Sequence, residues 1–243
     1  MTPRLRQFLF ETLYRNKYLY RFASTVPFAG QWRIWQRQVL PRLRGHDVLE
    51  LGCGLGDLLA DMLEAGYACR AVERSPQMVR AARETLKRRR LGSPELIIQG
   101  SAQQLPFPPE SFDNVVSTFP SEYIYDPATI AEIERVLRPG GRLIVIEGAN
   151  LLPVGFFQPI LLLLQALVYG PATLFGQRKD QQGRPARNII PAGRQINAGI
   201  TTEVVPNASF GQHIPLERYD LRRRSEIARS WRWEVYITIG EKI

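Results

Sequence analysis

The residues whose types and spacing best suit ligand binding form a short glycine-rich segment, ELGCGLG at positions 50–56. Glycines at a turn let backbone N–H groups approach a ligand closely, because no Cβ stands in the way. The spacing is G-x-G-x-G and differs from the dinucleotide pattern G-x-G-x-x-G, which disfavours a nicotinamide or flavin cofactor. The segment therefore predicts a ligand-binding turn between a strand and a helix.

A second chemical feature is Glu73, which ends the next apolar strand and lies 21 residues after Gly52. A carboxylate at this position can accept hydrogen bonds from two ribose hydroxyls. Open parallel sheets bind ligands at the carboxyl ends of neighbouring strands. We therefore expect Glu73 and the glycine turn to face the same ligand.

The elements that must position these residues alternate between strand and helix from His46 onward. Five strands are predicted, DVLEL, CRAVE, ELIIQG, FDNVVSTF and GRLIVIEG, and TTEVV and WEVYITIG are strand-like near the end. Ser75 is the predicted N-cap of the helix that follows the second strand, with Pro76 at its first position. Two helical segments are predicted over 4–43, the second of them over 31–43, and the helix that begins near 127 is predicted to stop at Pro139. Such alternation is typical of a parallel α/β sheet.

Four segments together make the sequence resemble the class I S-adenosylmethionine-dependent methyltransferases. They are ELGCGLG at 50–56, AVERSPQM at 71–78, GSAQQLPFPPESFDNVVS at 100–117 and VLRPGGRLIVIEG at 136–148, in the order and spacing of that family. The resemblance implies a three-layer Rossmann-like α/β sandwich with a mostly parallel, seven-stranded sheet. It also implies S-adenosylmethionine as the cofactor and methyl transfer as the activity.

The predicted organisation has four parts. Residues 1–45 form an N-terminal helical cap, and 46–148 form the S-adenosylmethionine-binding core. Residues 149–199 form an apolar helical insertion and loop after the fifth strand, acting as a lid over the acceptor. Residues 200–243 supply the C-terminal strands that complete the sheet.

The resemblance also implies roles for residues at the strand ends. Glu50 and the turn would hold the methionine end of the cofactor, and Glu73 would bind the ribose. Thr118 and Phe119 would lie beside the sulfonium, while the remaining members would contact the adenine. The predicted cofactor-binding residues are Glu50, Gly52, Cys53, Gly54, Gly56, Glu73, Arg74, Met78, Ser101, Ala102, Thr118 and Phe119.

Some of these residues have plain structural alternatives. Glu50 could serve only as a partner for the dipole of the following helix, and Glu73 could pair with Arg74. Met78 lies on a helical stripe, so core packing and adenine contact are both open. The family commonly has an acidic residue where Ser101 stands, and a serine oxygen accepts a hydrogen bond less strongly than a carboxylate.

Catalytic candidates follow the fourth strand. Methyl transfer from a sulfonium is an in-line displacement, so the enzyme mainly aligns and desolvates the acceptor. A general base is needed only where the acceptor must lose a proton. Glu122 and Tyr123 could orient or deprotonate an acceptor, and a structural loop role is the alternative for both. His213 ranks lower, and Cys53 and Cys69 form no metal-ligand pattern, so no metal is predicted.

The net charge of +9 comes from 32 Lys and Arg against 23 Asp and Glu. Nucleic acid, anionic headgroups, acidic small molecules and simple solubility all fit such a balance. The run at 87–90 is predicted to be a solvated helix end. The run at 222–224 is open between a solvated helix and an anion contact. An RNA methyltransferase using this basic surface is therefore the second hypothesis, although nucleic acid ranks below a small molecule. A binding module that transfers no methyl group is the third.

Residues 148–177 carry no charged side chain. Proline and glycine divide this stretch, and its longest clear piece, 160–169, is too short for a membrane span of about 20 residues. It predicts a short helix that lines an acceptor pocket, with membrane contact as the second alternative. The leading hypothesis is a methyltransferase for a hydrophobic small molecule or lipid-like acceptor. The N-terminus resembles no secretory signal, so we expect a cytoplasmic protein, with peripheral membrane contact as an option.

Overall fold

A computed structural model of the chain describes residues 30–151, 200–205, 208, 210 and 213–243. Its strands are β1 Asp47–Leu51, β2 Ala68–Glu73, β3 Ile97–Gln99, β4 Phe112–Thr118, β5 Leu137–Leu151, β6 Thr201–Val204, β7 Leu221–Arg229 and β8 Trp233–Lys242. They form one sheet in the order β3-β2-β1-β4-β5-β8-β7-β6. The first five strands pair in parallel, whereas β8, β7 and β6 extend the sheet by antiparallel pairing.

Helices cover both faces of this sheet. The α-helices are α1 Trp32–Gln36, α2 Asp57–Glu64, α3 Pro76–Arg89 and α4 Pro127–Val136, and 3-10 turns lie at Arg37–Arg42, Pro94–Leu96, Glu122–Tyr125 and Leu216–Arg218. The Ser75 hydroxyl accepts a hydrogen bond from the Met78 N–H at 3.4 Å, so the predicted cap of α3 is confirmed.

Alternate strand residues enter two separate cores. Val48 of β1 packs in the cluster that contains α2 and α3, whereas the adjacent Leu49 packs in the cluster that contains α4. This follows from the two-residue period of a strand, which sends successive side chains to opposite faces. The result is the predicted three-layer, Rossmann-like α/β sandwich with a mostly parallel sheet.

Among the described residues the sheet has eight strands where seven were predicted, because the arginine run at 222–224 lies in β7. A solvated helix was one alternative for this run, and that alternative is wrong. The strand pattern is hidden in the sequence because three successive cations mask the apolar alternation. Two of these three cations form ion pairs within the fold: Arg223 lies 2.7 Å from Glu217, and Arg224 lies 2.5 Å from Glu226.

Two helix boundaries also differ from the predictions. The helix expected over 31–43 is split into α1 and the 3-10 turn Arg37–Arg42, which contains Pro41. Proline lacks the N–H that a continuing α-helix requires at this point. The helix expected to run to Pro139 ends at Val136, and β5 begins at the next residue.

The helix predicted before residue 30 and the one predicted at 160–169 lie outside the described residues. Within the ranges that the structure describes, no helix is both long and apolar enough to cross a membrane.

Candidate functional site

The glycine turn joins the end of β1 to the start of α2. Gly52, Gly54 and Gly56 have φ angles of +72°, +53° and +75°, a region that favours glycine. A Cβ added to Gly56 would lie 2.9 Å from the Cβ of Ala82 on α3, which is closer than side chains pack. Left-handed backbone and close packing therefore both explain why this segment is glycine-rich.

Glu73 is tied directly to this turn. One carboxylate oxygen accepts a hydrogen bond from the Gly54 N–H at 3.0 Å, and the other accepts from the Ser75 N–H at 2.9 Å. Within the described part of the chain, the hydrogen bonds to this carboxylate come from the backbone, and the Arg74 side chain is exposed. A carboxylate oxygen can accept two bonds, so Glu73 keeps capacity for ribose hydroxyls.

Glu50 is buried in β1 immediately before the turn, with 1% of its surface exposed. Burial, followed by the negative charges of Glu73, Asp57 and Asp61, raises the pKa of its carboxyl to about 8. Its Oε2 atom has no hydrogen-bond partner among the described residues. A buried, unsatisfied carboxylate oxygen is what an incoming ammonium group can pair with. The residues therefore fit the amino-acid end of S-adenosylmethionine.

An open cleft lies between the turn and α1. The side chain of Gln36 closes one wall by donating a hydrogen bond to the Thr118 hydroxyl at 3.1 Å. The cleft is lined by Trp32, Gln36, Gly52, Cys53, Gly54, Leu55, Asp57 and Thr118.

Four of the lining residues were not predicted as site residues from the sequence, namely Trp32, Gln36, Leu55 and Asp57. One signal was available, since Trp32 and Gln36 are four residues apart and therefore share a helix face.

Phe119 follows β4 and forms an aromatic wall with Trp32. Their rings are stacked with centroids 4.1 Å apart, and the φ angle of Phe119 is +50°. A left-handed conformation is uncommon for a bulky residue and is often found at functional sites. Here the Phe119 N–H donates to the Ile146 carbonyl at 2.7 Å, which holds the backbone in place.

On the predicted adenine side, the residues have different surroundings. Met78 has no exposed surface and packs with Leu55 and Ala81, as the core-packing alternative for it requires. The Ser101 hydroxyl bonds to the Gln103 side chain, which in turn donates to Asp126 at 3.0 Å. Ala102 packs at the edge of the α4-side core.

Cys53 lies in the turn but is buried. Burial, with Glu50 and Glu73 nearby, raises the pKa of its thiol well above the ordinary value. A thiol held neutral in this way is a poor nucleophile, so Cys53 contributes shape to the turn.

The two predicted catalytic residues lie in the 3-10 turn Glu122–Tyr125 at the same sheet edge. Glu122 is exposed. The Tyr123 hydroxyl donates to the Leu51 carbonyl at 3.0 Å and shares a hydrogen bond with the Ser117 hydroxyl at 2.7 Å. Tyr123 therefore supports the backbone at the start of the glycine turn, and a catalytic role for either residue stays a prediction. His213 is exposed and lies 3.0 Å from a Glu217 oxygen.

Known proteins resemble the chain around this site. Residues 49–145 match the family model described as a methyltransferase domain. A Symbiobacterium thermophilum protein named demethylmenaquinone methyltransferase is 34% identical over 155 residues, which cover 58% of each chain. A Pseudoalteromonas translucida protein named ubiquinone/menaquinone biosynthesis C-methyltransferase is 33% identical over 49% of this chain and 50% of its own. The chain thus spans only a half to three fifths of these relatives' lengths.

Two solved structures share the fold over most of their length. A candidate S-adenosyl-L-methionine-dependent methyltransferase from Methanococcus maripaludis has a TM-score of 0.62 and 16% identity, over 94% of this chain and 93% of its own. The PH0226 protein from Pyrococcus horikoshii has a TM-score of 0.53 and 21% identity, over 87% and 90%. Residues 49–145 are thus similar to a methyltransferase domain, and the two solved structures share the fold of the chain.

Proposed function

We propose that the protein transfers a methyl group from S-adenosylmethionine to a reduced quinone or a similarly flat, hydrophobic acceptor. The observation that carries the proposal is the cleft beside the glycine turn, which is lined by Trp32 and by the turn residues. Glu50 and Glu73 supply carboxylates next to that turn, and Trp32 stacks on Phe119 at the end of β4. The names of the two quinone-methylating relatives support this choice of acceptor.

The cofactor end of the cleft uses charge and backbone. Glu50 would bind the ammonium of the methionine portion, and Glu73 would accept from the ribose while it still holds the Gly54 N–H. S-adenosylmethionine supplies an activated methyl group when it is bound. The chain's contribution is orientation and exclusion of water, which is sufficient for an in-line displacement.

The acceptor end uses ring contacts. A flat ring stacked against Trp32 or Phe119 gains about 0.5–1.5 kcal/mol beyond simple burial. In the transfer, the methyl carbon leaves sulfur and bonds to the acceptor, and the acceptor releases a proton. Glu122 is the better placed of the two predicted bases, because the Tyr123 hydroxyl already donates its proton to the Leu51 carbonyl.

The RNA alternative gains no support from the basic clusters. In the run at 87–90, Arg89 pairs with Glu64 at 2.5 Å and with Asp61 at 2.8 Å. In the run at 222–224, Arg223 and Arg224 also have carboxylate partners. Cations engaged with carboxylates are less available to phosphates.

Labelled S-adenosylmethionine tests the proposal when the protein is incubated separately with a short-chain demethylated naphthoquinol, total RNA and a lipid extract. We expect label in the quinol and little in RNA. The Glu73→Ala variant should lose transfer, whereas Glu95→Gln, on an exposed residue away from the cleft, should retain it. Transfer into RNA alone, or no transfer to the quinol by a protein that binds S-adenosylhomocysteine, would refute the proposed acceptor.

A further inference from the structure

We propose that Asp61 is a positioning residue that holds α1 over the cofactor cleft. Asp61 is not among the predicted cofactor-binding residues. It acts through Arg33 and Arg37 in residues 31–42, the part of the N-terminal cap that is called the cap below. The inference rests on the proposed cofactor site but not on the identity of the acceptor.

Asp61 lies in α2 and collects three arginines. Its Oδ1 atom lies 2.6 Å from Arg33 and 2.8 Å from Arg89, and its Oδ2 atom lies 3.1 Å from Arg37. Arg33 and Arg37 lie in α1 and at the start of the 3-10 turn that follows it, whereas Arg89 lies at the end of α3. A single carboxylate therefore joins the cap to both helices behind the glycine turn.

The spacing connects these ion pairs to the cleft. Asp57 lines the cleft, and Asp61 is four residues later on the same face of α2. On the facing segment, Trp32 and Gln36 line the cleft, and each is followed directly by an arginine that reaches Asp61. Fixing Arg33 and Arg37 therefore fixes two walls of the cofactor cleft.

The different burial of Asp61 and its arginine partners indicates that Asp61 contributes most to holding α1. The Asp61 side chain is 2% exposed, whereas those of Arg33 and Arg37 are 49% and 53% exposed. Removing one half-exposed arginine costs little stability, because water replaces its contact with the carboxylate. Neutralising the buried carboxylate removes the shared partner of all three arginines at once, and Arg33 and Arg37 then lose their ion pairs with α2.

The cap segment needs such an anchor because it cannot hold its own shape. α1 has only five residues, far fewer than the roughly 12–15 that an isolated helix needs in water. Its other contacts in the described part of the chain include the buried Trp35, the stacking of Trp32 on Phe119 and the hydrogen bond from Gln36 to Thr118. Loss of the Asp61 contacts should therefore loosen α1 without unfolding the sheet.

The decisive comparison is Asp61→Asn against Glu64→Gln. Glu64 lies in the same helix and binds the same Arg89, but this ion pair does not involve α1 or the 3-10 turn that follows it. Binding of S-adenosylhomocysteine is measured by calorimetry, and amide hydrogen exchange is followed over residues 31–42. We expect Asp61→Asn to weaken binding about tenfold, in the range typical of coupling between sites, and to speed exchange in the cap. Glu64→Gln should do neither.

Arg37→Gln supplies the variant that keeps the buried charge and its two other partners, should Asp61→Asn fold poorly. It should show a smaller loss of affinity and a smaller increase in the rate of amide exchange over residues 31–42. In turnover assays the KM for S-adenosylmethionine should rise while kcat stays near the wild-type value. Unchanged exchange in the cap for both variants would overturn the proposal. If the wild-type protein bound no S-adenosylhomocysteine, the proposed function would fail, and hydrogen exchange would still decide the role of Asp61.

Discussion

The Tyr123 hydroxyl stands directly over Gly52. It donates to the Leu51 carbonyl at 3.0 Å, and a Cβ added to Gly52 would lie 2.9 Å from the same hydroxyl oxygen. The residue after β4 and the first glycine of the turn are therefore fitted to each other. This contact explains how a side chain 71 positions later in the sequence can shape the cofactor turn.

Gly52→Ala should strongly weaken binding of S-adenosylhomocysteine, with a loss of about tenfold or more. The added methyl meets the Tyr123 hydroxyl, and the φ angle of +72° costs about 1–2 kcal/mol for a residue with a Cβ. Calorimetry of the variant measures the change. Gly66→Ala is the control, because Gly66 also has a positive φ but has open space around it. Equal losses in the two variants would show that backbone strain alone is responsible.

The Tyr123→Phe variant distinguishes a structural role of the Tyr123 hydroxyl from a catalytic role. Removing the hydroxyl should lower the free energy of unfolding by about 1 kcal/mol, since a hydrogen bond to the Leu51 carbonyl is lost. If the hydroxyl only supports the turn, cofactor affinity falls while kcat changes little. A fall in kcat of about a hundredfold or more with unchanged cofactor affinity would instead assign it to proton transfer.

Glu50→Gln should change how stability depends on pH. The ordinary pKa of a glutamate is 4.5, and in the folded protein that of Glu50 is raised to about 8. Between these values the folded state binds a proton that the unfolded state releases. The contribution of Glu50 is therefore fully present below pH 4.5 and is lost as pH rises through 8, by up to about 1.4 kcal/mol per pH unit.

Urea unfolding of the two proteins at pH 5 and pH 8 measures this difference. The wild-type protein should lose stability relative to Glu50→Gln on going to pH 8, and Glu64→Gln should follow the wild type. The affinity of wild-type protein for S-adenosylhomocysteine should rise over the same interval, because pairing with the ligand ammonium requires the ionised carboxylate. Parallel pH dependence in wild type and Glu50→Gln would contradict a raised pKa at this position.

The parts of the site that could be predicted from the sequence are local. The glycine turn, its strand, its helix and the cap at Ser75 each depend on neighbours within a few residues. Glu73 could be assigned to the same site because the carboxyl ends of neighbouring parallel strands lie at one edge of the sheet. These features need no knowledge of long-range contacts.

The parts that could not be predicted depend on distant partners. Gln36 reaches Thr118 across 82 positions, and the stacking of Trp32 on Phe119 spans a similar separation. The strand at 221–229 was missed because three successive arginines interrupt its apolar pattern, and one of them, Arg223, pairs with Glu217 on another element. Periodicity within one segment carries no information about such pairs.

Trp32→Leu should reduce use of the acceptor more than binding of the cofactor. The variant keeps apolar bulk but loses the ring that stacks on Phe119 at 4.1 Å. Loss of an aromatic contact of about 0.5–1.5 kcal/mol corresponds to a rise of roughly two- to tenfold in the acceptor KM. Initial rates at varied quinol concentration provide the measurement. Trp231→Leu is the matched control, because that tryptophan is 70% exposed at the β7–β8 connection. A similar acceptor KM for wild type and Trp32→Leu would show that the Trp32 ring is not part of the acceptor site.

The buried pair Arg42–Glu226 should be the main electrostatic attachment of the cap segment to the antiparallel end of the sheet. The two side chains are each 4% exposed and lie 2.8 Å apart. Glu226→Gln should lower the free energy of unfolding by about 3–5 kcal/mol, because the Arg42 charge is left buried without its partner. Glu217→Gln should cost less than about 1 kcal/mol, because Glu217 is half exposed in its pair with Arg223.

Urea unfolding distinguishes the two costs, and the double variant Arg42→Met/Glu226→Leu tests their origin. Apolar side chains of similar length remove both charges together, so the double variant should be more stable than Glu226→Gln alone. Such a recovery would show that the cost comes from the unpaired charge and not from lost packing around β7. If the double variant were the less stable of the two, the pair would itself be stabilising, and the Thr202 hydroxyl and the Gln38 carbonyl, which also contact the Arg42 guanidinium, would have lost a donor that apolar packing does not replace.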